Sequence, residues 1–256
     1  MKNVFITTLF FLICAQMITA KSKNLNLVFI GNSITAGALI DVPEQNAPPA
    51  RVVSKLSQQS VYDNVAFVNC GVSGCTTVDY LPAMNTLFPK MLTAVASMDA
   101  KDADMVFSIM LGTNDSAIKG PTGSPVLPQQ YRTNLKVIIE ALLHRFPKAI
   151  IVLNRPLWYS PNTYNGAMYL EEGLSRLNKY WAELQTLQQE FASEGIGNVY
   201  LGDDEAYSYF KDNYLSDLIA EQGNAGTFYL HPNAKGADVL ATFWLNAINR
   251  VLTSKK

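Results

Sequence analysis

Leu25-Asn-Leu-Val-Phe-Ile30-Gly31-Asn32-Ser33-Ile-Thr35 is the stretch that decides the fold. Leu25 to Ile30 is a largely apolar run of strand length. Gly31 ends it, and Ser33 follows two residues later, where the chain leaves the sheet. Such runs suit strands buried on both faces. A serine just beyond one lies at the carboxyl end of a strand, the edge where open α/β sheets carry their chemistry. Taken alone, Gly-Asn-Ser is also an ordinary turn, because these residue types favour turns for local reasons. The rest of the chain has to decide.

Outward from that stretch the pattern repeats. Val65–Asn69, Asp104–Leu111, Ala149–Leu153 and Asn198–Leu201 read as strands. Between them, Pro48 to Gln59 reads as a helix opened by prolines. A second helical spacing runs from Met84 to Met98, with Pro89 marking where the regular helix begins. Leu135, Ile138, Ile139, Leu142, Leu143 and Phe146 make one apolar face of a third helix. A long helix follows from about Ala167 to Ser193, and the last starts after Asn233. Buried strands alternating with helices predict a three-layer α/β/α sandwich around a mainly parallel sheet.

Composition bounds the function. The 256 residues are 48% hydrophobic and 16% charged, which fits one globular domain with a large core. Lys2, an apolar run from Val4 to Cys14 and small residues up to Ala20 describe a secretory signal peptide over residues 1–20, leaving a single domain over 21–256. A retained anchor fits less well, since the run barely reaches spanning length and Gln16 interrupts its end. Lipidation of Cys14 is disfavoured because Ile13 stands where a small residue would be wanted. Loss of Lys2 takes the formal charge from −1 to −2. The expectation is an exported protein, periplasmic or extracellular, without stable membrane insertion and without an electrostatic footprint for nucleic acid. Cys70 and Cys75 are either a short-range disulfide or two buried thiols. Two cysteines with no histidine nearby do not make a zinc site, and neither a metal nor a cofactor is expected.

A serine hydroxyl is a weak nucleophile until a base activates it. Of the two histidines, His144 lies near the end of a helix and suits a surface position against the last carbonyls. His231, in Tyr-Leu-His231-Pro-Asn233, lies in a loop just before a helix for which Asn233 is a plausible N-cap. Acyl transfer also needs donors aimed at a developing oxyanion. Two further strand ends offer them: Asn69-Cys-Gly71-Val-Ser-Gly74 and Gly112-Thr-Asn114-Asp115.

In this order the four blocks resemble the SGNH superfamily, the hydrolases often called GDSL esterases, over essentially the whole chain beyond residue 20. The resemblance implies a flavodoxin-like sandwich with Ser33 as nucleophile and His231 as base. It also implies an oxyanion hole made by the Ser33 and Gly71 N–H groups and the Asn114 side chain. Two departures stand out. Asn32 replaces the usual Asp of the first block, a mild change. Phe228 occupies the position, three residues before the histidine, where the family commonly has an Asp. Three explanations compete: a backbone carbonyl near residues 227–229 or a water orients His231; an acid reaches in from elsewhere, with Asp203 or Asp204 best placed; or the site is feeble. The first is the expectation.

The 155–166 loop carries Arg155, Trp158, Tyr159 and Tyr164, which suit a sugar or small polar ester, although Trp158 and Tyr159 equally suit capping the core. The expected substrate is a short-chain, acetyl-type ester on a glycan. A broader short-chain esterase, lysophospholipase or thioesterase is the alternative, and a catalytically weak glycan-binding protein is the rival of another class.

Overall fold

A computed structural model describes residues 24–59, 61–98 and 103–254. The proposed signal peptide and Cys14 lie outside these residues. Five parallel strands form the central sheet, β1 (Asn24–Gly31), β2 (Asn64–Gly71), β3 (Ala103–Met110), β4 (Ile150–Leu153) and β5 (Val199–Leu201), in the order β2-β1-β3-β4-β5. Helices cover both faces. In β1 every residue from Leu25 to Gly31 is buried, as suits an interior strand of a sheet covered on both faces.

Two very short helices, α1 (Ser33–Ala36) and α2 (Pro43–Asn46), follow β1 and lead into α3 (Pro48–Ser57). The helix α4 (Leu87–Ala96) begins two residues before Pro89, because proline is tolerated within a first turn. Then come α5 (Pro128–Arg145) and α6 (Leu170–Ser193). The latter starts three residues later than its periodicity suggests: Met168 is taken by short antiparallel bridges to Lys119 and Tyr164. In the last helix, α8 (Ala234–Ser254), Trp244 stacks on Phe29 of β1 with centroids 5.8 Å apart, locking helix to sheet.

Residues 205–232 form elements that sequence periodicity did not reveal. They are α7 (Glu205–Asp217) and an antiparallel hairpin, β6 (Leu218–Gly223) and β7 (Gly226–Pro232), which makes a separate two-stranded sheet. Cys70 and Cys75 are both free thiols, the second buried and bonded to the Gly31 carbonyl at 3.3 Å. Burial pushes both thiols up, Cys70 to about 11, so neither is poised as a nucleophile. Among the described residues no helix is long and apolar enough to cross a membrane, and no group of three or more His, Cys, Asp or Glu side chains could hold a metal ion.

Candidate active site

The corner that holds Ser33 is built by glycines. Gly31 and Gly71 are register partners at the carboxyl ends of β1 and β2. A Cβ on Gly31 would collide with the Thr35 side chain, and one on Gly71 with the backbone of Thr35 and Ala36. Their bareness lets α1 lie across the two strand ends. Asn32 caps that helix, its side-chain oxygen accepting the Ile34 N–H at 3.0 Å. Gly37, left-handed at φ 79°, closes it. Asn69 completes the brace by donating to the Thr35 carbonyl at 2.9 Å. Among the described residues no acceptor takes the Ser33 N–H.

His231 reaches this corner from β7. Its Nε2 lies 2.9 Å from Ser33 Oγ, and its Nδ1 lies 2.8 Å from Oε1 of Glu221 on β6. The same carboxylate oxygen accepts the His231 backbone N–H at 3.3 Å. An ionised carboxylate can only accept, so Nδ1 carries the hydrogen and Nε2 is left as the acceptor for the serine hydroxyl. Neither a carbonyl of residues 227–229 nor water is needed to orient the ring. Asp203 and Asp204 are also displaced from that role. Asp203 is buried and accepts the Glu205 and Ala206 N–H groups at the start of α7, and burial raises its carboxyl to about 6. Asp204 is exposed beside it.

The register of the hairpin explains how Glu221 gets there. Glu221 pairs with Phe228, and Ala220 with Tyr229, but Leu218 pairs with Pro232. Between those last two pairs β6 spends one residue, Ile219, and β7 spends two, Leu230 and His231. Strict alternation from Phe228 would send His231 to the face away from Glu221. The bulge re-aims it onto the same face, a common use of bulges beside active sites. Phe228 itself is 1% exposed and packs beside Gly223. The carboxylate therefore sits one strand over from position 228, at the same level of the ribbon.

Ser33, Gly74, Asn114, Tyr169, Glu221 and His231 all line one cavity of about 500 Å³, whose rim includes the exposed Leu39. Gly71 is not among its lining residues, and its N–H is spent on Asn69 Oδ1 at 2.9 Å. This corrects the oxyanion role expected for Gly71: its task is steric. Gly74 takes the cavity position instead. It has φ 79°, and among the described residues nothing accepts its N–H. The repeated glycine in Gly71-Val-Ser-Gly74 was visible in the sequence, yet only the fold tells which of the two faces the site. Asn114 is 3% exposed, donating through Nδ2 to the Cys75 carbonyl at 2.8 Å and accepting at Oδ1 from the Tyr169 hydroxyl at 2.7 Å. One amide hydrogen remains for the cavity.

Arg155, Trp158, Tyr159 and Tyr164, the loop residues expected to meet substrate, do not line this cavity. Trp158 packs against Tyr214 at 5.4 Å, and Tyr159 is wholly buried with its hydroxyl 2.8 Å from Ser116 Oγ. The Arg155 guanidinium lies 3.8 Å over the Tyr207 ring, towards α7. Their apolar bulk is worth more in the core than at an open cleft. The same loop instead lines the cavity with Asn165, Gly166, Ala167 and Tyr169. His144 is exposed in the last turn of α5, away from all of this.

Comparison with known proteins identifies the family and the fold. A model of the GDSL-like lipase/acylhydrolase family matches residues 29–239. No curated protein sequence matches the chain. Among solved structures, a lipase/acylhydrolase from Enterococcus faecalis is similar at TM-score 0.57 and 20% identity, covering 88% of this chain and 96% of that one. An acetylxylan esterase from Geobacillus stearothermophilus is similar at TM-score 0.59 and 22% identity, covering 89% and 95%. A carbohydrate acetylesterase from Sinorhizobium meliloti is similar at TM-score 0.58 and 16% identity, covering 89% and 99%.

Proposed function

Since the chain belongs to the GDSL-like lipase/acylhydrolase family, and so is a carboxylic ester hydrolase, we propose that it cleaves short acyl esters, acetyl groups on carbohydrate, through Ser33, His231 and Glu221. The observation that carries this reading is the unbroken chain of contacts from Ser33 Oγ to His231 Nε2 at 2.9 Å and from His231 Nδ1 to Glu221 at 2.8 Å.

In the first half-reaction Ser33 Oγ attacks the ester carbonyl carbon as its proton passes to His231 Nε2. The Ser33 and Gly74 N–H groups and the free Asn114 amide hydrogen receive the charge that develops on the carbonyl oxygen. Collapse breaks the bond to the alkoxide, which takes the proton from His231, leaving an acyl-serine. Water then attacks that acyl group, gives its proton to His231 and releases the acid, and the proton returns to Ser33. Glu221 holds the productive tautomer throughout and stabilises the imidazolium.

The cavity supports a short acyl group. Glycine, alanine and polar residues make most of its wall, with Leu39 and Leu230 as the large aliphatic side chains. A long acyl chain would need a more extensive apolar channel to repay its burial. Two of the similar structures, an acetylxylan esterase and a carbohydrate acetylesterase, favour acetylated glycan as the substrate class. Export through residues 1–20 would bring the enzyme to such polymers, and N-terminal sequencing of the secreted protein should place cleavage near Ala20.

The test is hydrolysis of p-nitrophenyl acetate, butyrate and octanoate and of acetylated xylan oligomers, with Ser33→Ala as the control. Acetate release from the oligomers, with activity falling along the chain-length series, is expected. Preference for octanoate without acetate release would overturn the substrate class. Lack of labelling of wild-type Ser33 by a fluorophosphonate would overturn the mechanism.

A further inference from the structure

Building on the ester-hydrolase reading, we propose that Tyr169 is a positioning residue for the oxyanion hole and acts through Asn114. The Asn114 amide is held at both ends. The Cys75 carbonyl can only accept, so it fixes the Nδ2 end at 2.8 Å, and the oxygen end then receives the Tyr169 hydroxyl at 2.7 Å. Rotating the amide oxygen towards the cavity would break both bonds and present a negative dipole to the oxyanion. Donation into Oδ1 also polarises the amide, and hydrogen bonds in series strengthen one another. The remaining N–H becomes a better donor at the moment charge develops.

Tyr169 is itself built for one orientation. It is 3% exposed, and its ring meets Tyr159 edge-on at 5.3 Å. The Tyr159 hydroxyl pairs with Ser116 Oγ, which donates to the Thr113 carbonyl at 2.7 Å. Two tyrosines from one loop therefore grip this segment, Tyr169 at Asn114 and Tyr159 at Ser116. The next residue, Leu170, stands at φ 55°, a left-handed backbone that leucine rarely adopts. It is held there as the Tyr169 and Leu170 N–H groups both donate to the Thr163 carbonyl, at 3.2 and 3.1 Å. Strained backbone of this kind concentrates where surrounding structure fixes a functional group. Burial, with Glu221 as a lesser cause, pushes the phenol up, so it remains a donor at neutral pH.

The experiment is a double-mutant cycle on p-nitrophenyl acetate with Tyr169→Phe, Asn114→Ala and the pair, each normalised to active sites counted with a phosphonate so that misfolded protein does not imitate slow chemistry. Tyr169→Phe keeps the ring and should lower kcat about tenfold with KM within about twofold, less than deleting an oxyanion donor outright. In the Asn114→Ala background the same change should have no further effect. Effects that multiply, or a raised KM with kcat retained, would overturn the proposal. Failure of the esterase reading looks different, because wild type would then be no faster than Ser33→Ala.

Discussion

The two halves of the site are built on different principles. Ser33 stands at the end of β1, an interior strand of a five-stranded sheet, and nearly everything that places it comes from its own neighbourhood: Gly31 and Asn32 before it, Gly37 behind it, and the adjacent end of β2. His231 and Glu221 stand on a separate two-stranded ribbon that shares no ladder with the main sheet. That ribbon is clamped to the loop after β4. Asn162 donates to the Ala225 and Thr227 carbonyls, Ser160 exchanges bonds with the Tyr229 backbone, and the Asn224 N–H bonds to the Tyr164 carbonyl. A rigid corner carries the group to be acylated, and a ribbon fixed by side chains and register carries the group that moves the proton. Activity should therefore be separable from stability on the ribbon and tied to it at Gly31 and Gly71, which build the corner.

The widest separation is expected at Glu221. Glu221→Gln should lower kcat/KM by about 10³- to 10⁴-fold, as when a triad acid is replaced by its amide and the histidine takes the wrong tautomer. The melting temperature should barely change, because the side chain lies at the cavity wall rather than in the core. Ser33→Ala should fall at least as far. A loss under tenfold for Glu221→Gln, measured beside Ser33→Ala, would mean that the ribbon does not work through its carboxylate.

The same contrast explains what could be read from the sequence. The parallel sheet and the nucleophile corner follow from short-range patterns: apolar runs, turn residues and helical spacing from Leu25 through Leu201. Position 228 was legible as a missing acid, but its replacement was not. Glu221 is ten residues from His231, and nothing local says that the two share a face. That depends on a hairpin turning at Asn224-Ala225, which lacks the usual Asn-Gly signal, and on one extra residue in β7. The glycines illustrate the same limit. Gly71 and Gly74 both look like donors in sequence, and only the packing of α1 shows that one is needed for its missing Cβ.

That assignment sharpens into a second test. Gly71→Ala drives a methyl into the backbone of α1 and should destabilise by about 1–3 kcal/mol, as overpacking does. At about 2–4 °C per kcal/mol for a chain of this size, thermal melts resolve it. Gly74→Ala meets no atom within 4 Å and carries only the left-handed backbone penalty, about 1–2 kcal/mol. Its main effect should fall on kcat, through the displaced N–H. If Gly74→Ala lost stability and kept kcat, the exchange of roles between the two glycines would be wrong.

A milder break can be made in the clamp. Asn162→Ala removes two exposed hydrogen bonds to the hairpin, each worth about 0.5–1.5 kcal/mol. The ribbon should loosen without the sheet unfolding. We expect kcat to fall by no more than about tenfold and hairpin amides to exchange faster, while protection in β1 and β3 is unchanged. Equal loss of protection in the sheet would show that ribbon and sheet form one cooperative unit.

The smallest effect lies on the corner's side of the molecule, at Asp115. Its carboxyl is fully buried. One oxygen accepts the Thr77 N–H at 2.9 Å and the Thr77 hydroxyl, while the other has no partner among the described residues. Burial outweighs the Thr77 bonds and raises the group to about 6. Because the folded value exceeds the unfolded one, near 4, the native state binds the proton more tightly. The contribution to stability is complete below about pH 4 and is lost as pH rises through 6. Asp203, raised to about 6 by burial, acts in the same direction. Asp115→Asn keeps an acceptor for Thr77 but cannot ionise. The difference in melting temperature, variant minus wild type, should therefore grow from pH 4.5 to pH 7.5. A difference for Asp115→Asn that is flat with pH would place the buried carboxyl's proton elsewhere and remove this part of the contrast.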